Sequence, residues 1–487
     1  MNNNGRLGIQ NVREEIVGVD VQVPLLDGSH RQYVNLDNAA STPALRPVYD
    51  KVNEFMVWYS SVHRGTGFKS QIATEAYELA HDCVSCFVGA DPGTNTVIFG
   101  KNTTEAINKL ARRFPLEPED VVLCSLLEHH SNDLPWRQRA QLVHVAVDDE
   151  GRLDEEDYDR LMHEYAGRVK LVAISGASNV TGYLPPIHRL AEKAHAAGAK
   201  ILVDAAQMAP HRVVRMLPDD DPGHLDFVVL SAHKMYAPYG TGALIGPISV
   251  FEKGTPDQVG GGTVDIVTVD EVWWTSPPDR DEAGSPNVVG AVALAQTILS
   301  LEEIGMEALA AHEAKLTAHA LRSLQEIEGV EVYGLTDPER ASERLGVIPF
   351  NVQGVDHYKV AAVLSFEGGI GVRNGCFCAH PYILRLMKVS AKEALRHQRD
   401  IVDGTRVGLP GLVRISFGCY NTIEEVDHVA KVLARITAGE IRGDYEQDPI
   451  SGAYWPRGFE PDYEQYFGFQ CGLRARPRAQ RQPHCGV

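Results

Sequence analysis

The sequence holds no apolar run approaching the ~18–20 residues that a helix needs to span a bilayer, so no membrane segment is expected. Its opening residues, MNNNGRLGIQNVREE, lack the apolar centre of a secretory signal, which points to a polar arm over residues 1–34 and a cytoplasmic location. Cysteine is sparse too. Eight cysteines in 487 residues, irregularly spaced, exclude a disulfide framework. Cys83 and Cys86 (CVSC) have no second pair to complete a zinc site, and their place in a helical pattern points to core packing. Positive charge is likewise in deficit: 46 Lys and Arg against 65 Asp and Glu leave a net charge of −19. That balance disfavours a broad nucleic-acid surface, whose affinity comes from neutralised phosphates. No internal repeat is found. RGTGFKS is no P-loop, because Phe68 follows Gly67 where that motif needs lysine.

What is present reads as an α/β protein. The length suits two domains, with 44% hydrophobic and 23% charged residues. From 35 to 290, short β-branched runs alternate with helical patterns, as in a large, mostly parallel sheet covered by helices. The clearest strands are TVIFG ending at Gly100, KLVAIS at Ser175, KILVD at Asp204 and LDFVVLS at Ser231. Polar residues crowd their C-terminal ends, where open α/β sheets bind ligands. A smaller α/β domain is expected over 291–438, with Leu309, Leu316, Ala320, Leu324 and Ile327 on one helix face before Gly329. Residues 439–487 have turn formers and aromatics without a period, so they read as an extended strap or a disordered tail, basic after Cys471.

Lys234 directly follows the strand ending at Ser231, where burial disfavours its charge and makes the amine available as a nucleophile. Alone, it would read as a loop lysine. Asp204 stands at the tip of another strand, with Gln207 just beyond, and alone would read as a helix cap. Together they suggest pyridoxal phosphate, which needs a lysine for its aldehyde and an acid to keep its pyridine nitrogen protonated. For the phosphate, IFGKNTTEAINKLARRF supplies a strand, a glycine turn and a helix opening at Thr103 and Thr104. Ordinary capping by these threonines is compatible with that role. His129, in LLEHHSND, lies at a further strand end, where an imidazole can stack on the ring. The stretch VRNGCFCAH, with Cys376 and Cys378 one residue apart, leaves three readings open: half a metal site, a disulfide partner or a nucleophile.

The motifs LDNAASTP, SVHRG, NTTEAIN, EHHSND, SNVTG, VDAAQ, SAHK, GGGTV, EAGSPN and VRISFGCYN occur in one order over about residues 33–436. In this the chain resembles the class V aminotransferase superfamily, and within it the cysteine desulfurases. The resemblance implies the pyridoxal-phosphate fold type I, a homodimer, L-cysteine as substrate and a sulfur-acceptor protein. It implies that Lys234 holds the cofactor, Asp204 its ring nitrogen and Gln207 its ring hydroxyl, with His129 on the ring face. Thr104, Ser231 and His233 would hold the phosphate, joined by Ser285 of the neighbouring subunit; Asn179 and Arg414 would grip the substrate.

The same resemblance selects among the readings of RNGCFC. The family's R-[ST]-G-x-x-C pattern puts the sulfur-accepting cysteine at Cys378, with Arg373 favouring its thiolate. No metal is expected, since two cysteines would lack two further zinc ligands. Asn374 departs from the family's Thr or Ser, Cys376 is an additional thiol, and the stretch from Cys378 to Arg414 is long. GCFC and VDGTRVGLPGLVRISFG are similar to molybdenum cofactor sulfurases. Within the superfamily, a C–S lyase, a selenocysteine lyase or an amino-acid epimerase working without a persulfide is the alternative activity.

Overall fold

Runs such as FVVLS carry no polar alternation because helices cover both of their faces. Seven strands form one sheet, in the order Asn95–Gly100, Gly242–Pro247, Phe227–Ser231, Lys200–Asp204, Val169–Ser175, Val121–Ser125 and Gln141–Val145, the last a partly exposed edge. All neighbours are parallel except Gly242–Pro247, which runs antiparallel to both strands beside it. The computed structural model describes residues 6–63 and 65–468. Alternate side chains of the sheet enter two cores. Val97, Val172, Val203 and Val228 meet Tyr77, Val84, Leu294 and Leu301 on one face. Ile98, Leu171, Leu202 and Val229 meet Ile107, Leu110, Trp136 and Phe251 on the other.

The register brings the ends of the strands to one level. Ser175 pairs with Asp204, and Gly242 pairs with both Ser231 and Gly100. The loops that leave this edge share a single crevice.

A second sheet, antiparallel throughout, orders Val330–Val332, Val347–Val352, Leu412–Ser416 and Arg373–Gly375. Helices Met306–Gln325, His357–Gly368 and Ile423–Thr437 bury Leu321, Leu364 and Leu433 against Phe350 and Ile415 of this sheet. Val34–Asn35 pair in parallel with Ile370–Gly371, and Asp37 bridges to Ser416. The chain thus passes along the small sheet before it enters the large one.

Three expectations from the sequence change. Helix Val288–Ile304 packs on helices Arg46–Met56 and Phe68–Val88 against the large sheet, so the residues just after 290 belong to the larger body. Cys86 is exposed and Cys83 half-buried, while Val84 and Phe87 take the inward face of their helix. Within the segment expected to be an extended strap or a disordered tail, residues 445–456 form a hairpin, Tyr445–Gln447 against Tyr454–Pro456, that packs on the body. Trp455 and Phe459 pack on Phe366 with ring centroids 5.3 and 5.5 Å away, and the Glu367 carboxylate accepts from the backbone of Arg442 and Gly443. The basic end after Cys471 lies outside the described residues. Leu7, Val12 and Ile16 of the N-terminal arm are buried in the main core. Among the described residues no single helix is long and apolar enough to cross a membrane.

Gly242 sits between the backbone at Asn102 and that of Leu230. A Cβ there would lie 2.7 Å from Asn102 Cα and 2.7 Å from the Leu230 carbonyl oxygen. Backbone atoms cannot yield as side chains do. Gly242→Ala is expected to destabilise the fold by about 1–3 kcal/mol, measured as a lower midpoint in urea, with the turn at Asn102 displaced.

Candidate active site

A cavity of about 220 Å³ opens at the C-terminal ends of the large sheet. Thr103, Thr104, His129, Asn179, Asp204, Gln207, Ser231, His233, Lys234, Arg373, Cys378 and Arg414 all line it. Twelve of the thirteen residues singled out from the sequence therefore meet there. Ser285 does not: it is exposed in the loop before helix Val288–Ile304, outside the cavity of its own chain.

Burial sets the charges of this cavity. Lys234 is pushed down to about 8 by burial, against the pull of Asp204, so a fraction of the amine is neutral near neutral pH. Burial raises the Asp204 carboxyl, opposed by the Ala206 N–H at 3.0 Å and by the Lys234 charge. His129 is pushed down to about 3, by burial first and then by Lys234, so its ring is neutral. Its Nδ1 accepts from the Ser131 N–H at 3.1 Å, which assigns the ring proton to Nε2. His233 is lowered to about 4 by burial and by Lys234.

The helix Thr103–Arg113 presents an anion cradle. Its N-cap is Asn102, one residue before the threonines, and the Asn102 side chain accepts from the Glu105 N–H at 3.0 Å. Capping by Asn102 releases Thr103 from that task. Thr103 Oγ1 is buried with no hydrogen-bond partner among the described residues, and Thr104 Oγ1 shares a 2.7 Å hydrogen bond with Ser131. An orphaned hydroxyl beside free helix N–H groups is the donor set a phosphate requires. With Lys234 and Asp204 across the same cavity, the residues present fit a phosphorylated carbonyl cofactor.

Arg414, 2% exposed, donates to the Asn179 carbonyl at 2.8 Å and to Asp37 at 2.9 Å. Its Nε has no partner among the described residues. Arg373 is its cross-strand partner, so two guanidinium groups border the cavity.

Cys378 stands on a strained turn. The Ala379 N–H donates to the Cys376 carbonyl at 2.9 Å, and the residues between, Phe377 and Cys378, have φ of 51° and 54°. Two left-handed central residues usually mean Asn-Gly. A residue with a Cβ costs roughly 1–2 kcal/mol at each such position. The surroundings hold the turn: Asn179 Nδ2 donates to the Phe377 carbonyl and the His130 N–H to that of Cys378, both at 2.8 Å. The Arg414 guanidinium lies 4.8 Å from the Phe377 ring centroid. Cys376 faces away from the cavity, its Sγ 3.4 Å from the Pro410 carbonyl, and burial pushes its thiol up to about 12.

Several contributors escape sequence reasoning. Asp37 lies in LDNAASTP, a quoted motif with no role attached, and proves to be the carboxylate beside Arg414. Ser131, which orients His129 and Thr104, follows two histidines that draw the eye first. Glu128 is buried beneath the cavity and accepts from Ser125, Ser175 and Asn132. It opens the motif EHHSND, in which only His129 had a role attached.

A doubly wound sheet joined to a small antiparallel sheet, with a buried lysine and acid on adjacent strand ends, defines an α/β enzyme of fold type I. The chain belongs to the class V aminotransferase family, whose model matches residues 34–429. It is 34% identical over 435 residues to the cysteine desulfurase of Haloferax volcanii, covering 87% of this chain and 94% of that protein. It is 35% identical over 411 residues to a probable cysteine desulfurase of Halalkalibacterium halodurans, covering 82% and 92%. Among solved structures, the apo cysteine desulfurase of Thermococcus onnurineus NA1 matches with a TM-score of 0.75 at 31% identity, covering 90% of this chain and 100% of that one. The S-sulfonic acid form of Escherichia coli cysteine desulfurase CsdA matches with a TM-score of 0.72 at 27% identity, covering 90% and 100%.

Burial raises the Glu128 carboxyl from 4.5 to about 7 despite its hydrogen-bond donors. The folded chain keeps a proton that the unfolded chain releases, so this group's contribution to stability falls as pH rises from 4.5 to about 7, then levels. Glu128→Gln, neutral at every pH, is expected to flatten that fall in urea melts run across the interval.

Proposed function

We propose that this chain is a pyridoxal-phosphate-dependent cysteine desulfurase that takes sulfur from L-cysteine onto Cys378 and releases alanine. One observation carries the proposal: Lys234 and Asp204, both buried at strand ends, share a cavity with a cysteine and a buried arginine. The family relatives named above support the same activity. Bound there, pyridoxal phosphate supplies an electron sink for breaking bonds at the substrate's Cα and Cβ.

The chain's own groups do the rest. Lys234, partly neutral, holds the cofactor through its Nζ and then moves the Cα proton. Asp204 would hold the ring nitrogen, and Gln207, fixed by donation to the Ala39 carbonyl at 2.6 Å, would hold the ring hydroxyl. His129 would lie on the ring of a bound cofactor, with its Nε2 proton available as a donor. Thr103, Thr104, Ser231 and His233 hold the phosphate at the helix N-terminus, with Ser285 arriving from the second subunit of a homodimer. Arg414, assisted by Asn179 and Arg373, binds the substrate carboxylate. Cys378 Sγ receives the sulfur as a persulfide and passes it to an acceptor. A cytoplasmic setting fits the described cysteines, none of which is joined in a disulfide.

Intact-protein mass spectrometry after L-cysteine is expected to find one added sulfur on Cys378. Cys378→Ala should keep the cofactor's absorbance band and lose the persulfide; alanine formation at an undiminished rate would instead favour a lyase. Lys234→Ala should lose the band and at least about 10²-fold in rate. Arg414→Ala is expected to weaken cysteine binding about 10- to 100-fold, read as a raised KM, through loss of charge-assisted hydrogen bonds.

A further inference from the structure

At the edge of the large sheet opposite the cavity, three ligating side chains converge. Asp226 directly precedes strand Phe227–Ser231, His224 lies two residues before it, and His195 belongs to the last turn of helix Ile187–Ala196. Lys200 opens the neighbouring strand, whose other end is the Asp204 of the cavity, so the whole strand separates this cluster from the candidate active site. Among the described residues it is the one group of three His, Cys, Asp or Glu side chains whose ligand atoms all lie within 4.8 Å of one another. The Asp226 carboxylate is buried, and the two histidine side chains are 16% and 15% exposed. His195 Nε2 lies 2.9 Å from Asp226 Oδ2, and His224 Nε2 lies 3.5 Å from Oδ1. Ligand atoms bound to one ion at about 2.0–2.1 Å are separated by roughly 2.9–3.4 Å, so these spacings match the edges of a coordination sphere.

Hydrogen bonding assigns the ring protons. His195 Nδ1 lies 2.8 Å from the Pro222 carbonyl oxygen, and His224 Nδ1 lies 2.7 Å from that of Asp221. A carbonyl only accepts, so both Nδ1 atoms carry hydrogen, and in a neutral ring the lone pair is then on Nε2. Both Nε2 atoms border the Asp226 carboxylate, which also only accepts. It already receives the Ile201 N–H on Oδ2 at 2.8 Å and the Lys200 ammonium on Oδ1 at 2.7 Å. Acceptors that face acceptors need a positive charge between them. A second proton on each ring would supply it by making both rings cations, yet they stack with centroids 4.1 Å apart and planes 18° from parallel. One dication between the two Nε2 atoms and the carboxylate meets the same need with both rings neutral. A backbone carbonyl behind Nδ1 is the usual outer support of a metal-bound imidazole.

We propose that His195, His224 and Asp226 bind a transition-metal dication of the zinc type, with water completing its coordination. Two imidazoles and one carboxylate suit zinc better than calcium or magnesium, which take oxygen ligands. Bound there, the ion ties helix Ile187–Ala196 to the starts of two neighbouring strands, so it acts on stability and not on the reacting groups. Lys200 is the competing cation. Its side chain is 51% exposed, so the ammonium can leave Asp226 for solvent when the metal enters. The cysteines behind the expectation of no metal take no part in this cluster, and the inference does not rest on the desulfurase activity proposed above.

Two measurements on the full-length holoenzyme, stripped of metal with EDTA, test this. In the first, zinc chloride is titrated in by calorimetry and its effect on the urea midpoint is recorded. The parent protein is expected to bind zinc and to unfold at higher urea when saturated with it. His195→Gln and His224→Gln are each expected to remove one equivalent of bound zinc and the rise in midpoint. No binding by the parent protein, or that equivalent retained in either variant, would overturn the proposal. In the second, Lys200→Met keeps all three ligands and removes the competing charge. It is expected to tighten zinc binding about fivefold; an affinity unchanged or weakened refutes the site. Because the Lys200 side chain is exposed, this variant still judges the proposal where a histidine variant fails to fold.

Discussion

The burial of Lys234 opposite Asp204 is the constraint around which the rest of the molecule is arranged. An ammonium removed from water tends to shed its proton, and a carboxylate removed from water tends to gain one. Placed in one cavity, each moderates the other's shift: Asp204 raises Lys234, and Lys234 lowers Asp204. Both groups stand on sheet ends covered on two faces, so neither can turn to solvent for relief. The neutral His129 and His233 follow from the same desolvation, reinforced by the lysine's charge.

A second organising feature is the way the small sheet closes the crevice. Arg414 and Arg373 are cross-strand neighbours on that sheet, yet both reach the cavity of the large one. Arg414 in turn holds Phe377, so the residue proposed for the substrate carboxylate also steadies the turn that carries Cys378. Strained backbone at Phe377 and Cys378 persists because side chains from several distant segments over-determine it. Arg414, Asn179 and the Cys378 turn are thereby joined in one network. Helices His380–Leu386 and Ala391–Val402, which follow Cys378, add a second, basic cavity to the other side of that same turn.

Much of this was legible from the chain. The strands ending at Gly100, Ser175, Asp204 and Ser231 announced themselves as uninterrupted apolar runs, and the residues at their tips proved to be cavity residues. Local pattern served well there because a strand's end is a local property. It failed where a role depends on a distant partner. Nothing near Asp37 points to Arg414, some 377 residues away, and nothing near Cys376 shows that it turns from the cavity that Cys378 enters. The hairpin after 445 was missed for a related reason: its strands are only three residues each, and Phe366 and Glu367, from another helix, hold them down.

By itself the sequence determined the α/β class, the succession of strands and the chemistry at their tips, because hydrophobic periodicity and residue type are carried by contiguous segments. Motif order then identified the family, and with it the cysteine proposed to take sulfur. Only the tertiary structure decided which charges are desolvated together, that Asn102 rather than Thr103 caps the helix Thr103–Arg113, and that two thiols two residues apart look into different cavities. The shared desolvation depends on packing between segments that are separate in the chain, and the cap and the directions of the two thiols depend on backbone dihedrals that side-chain identity does not specify.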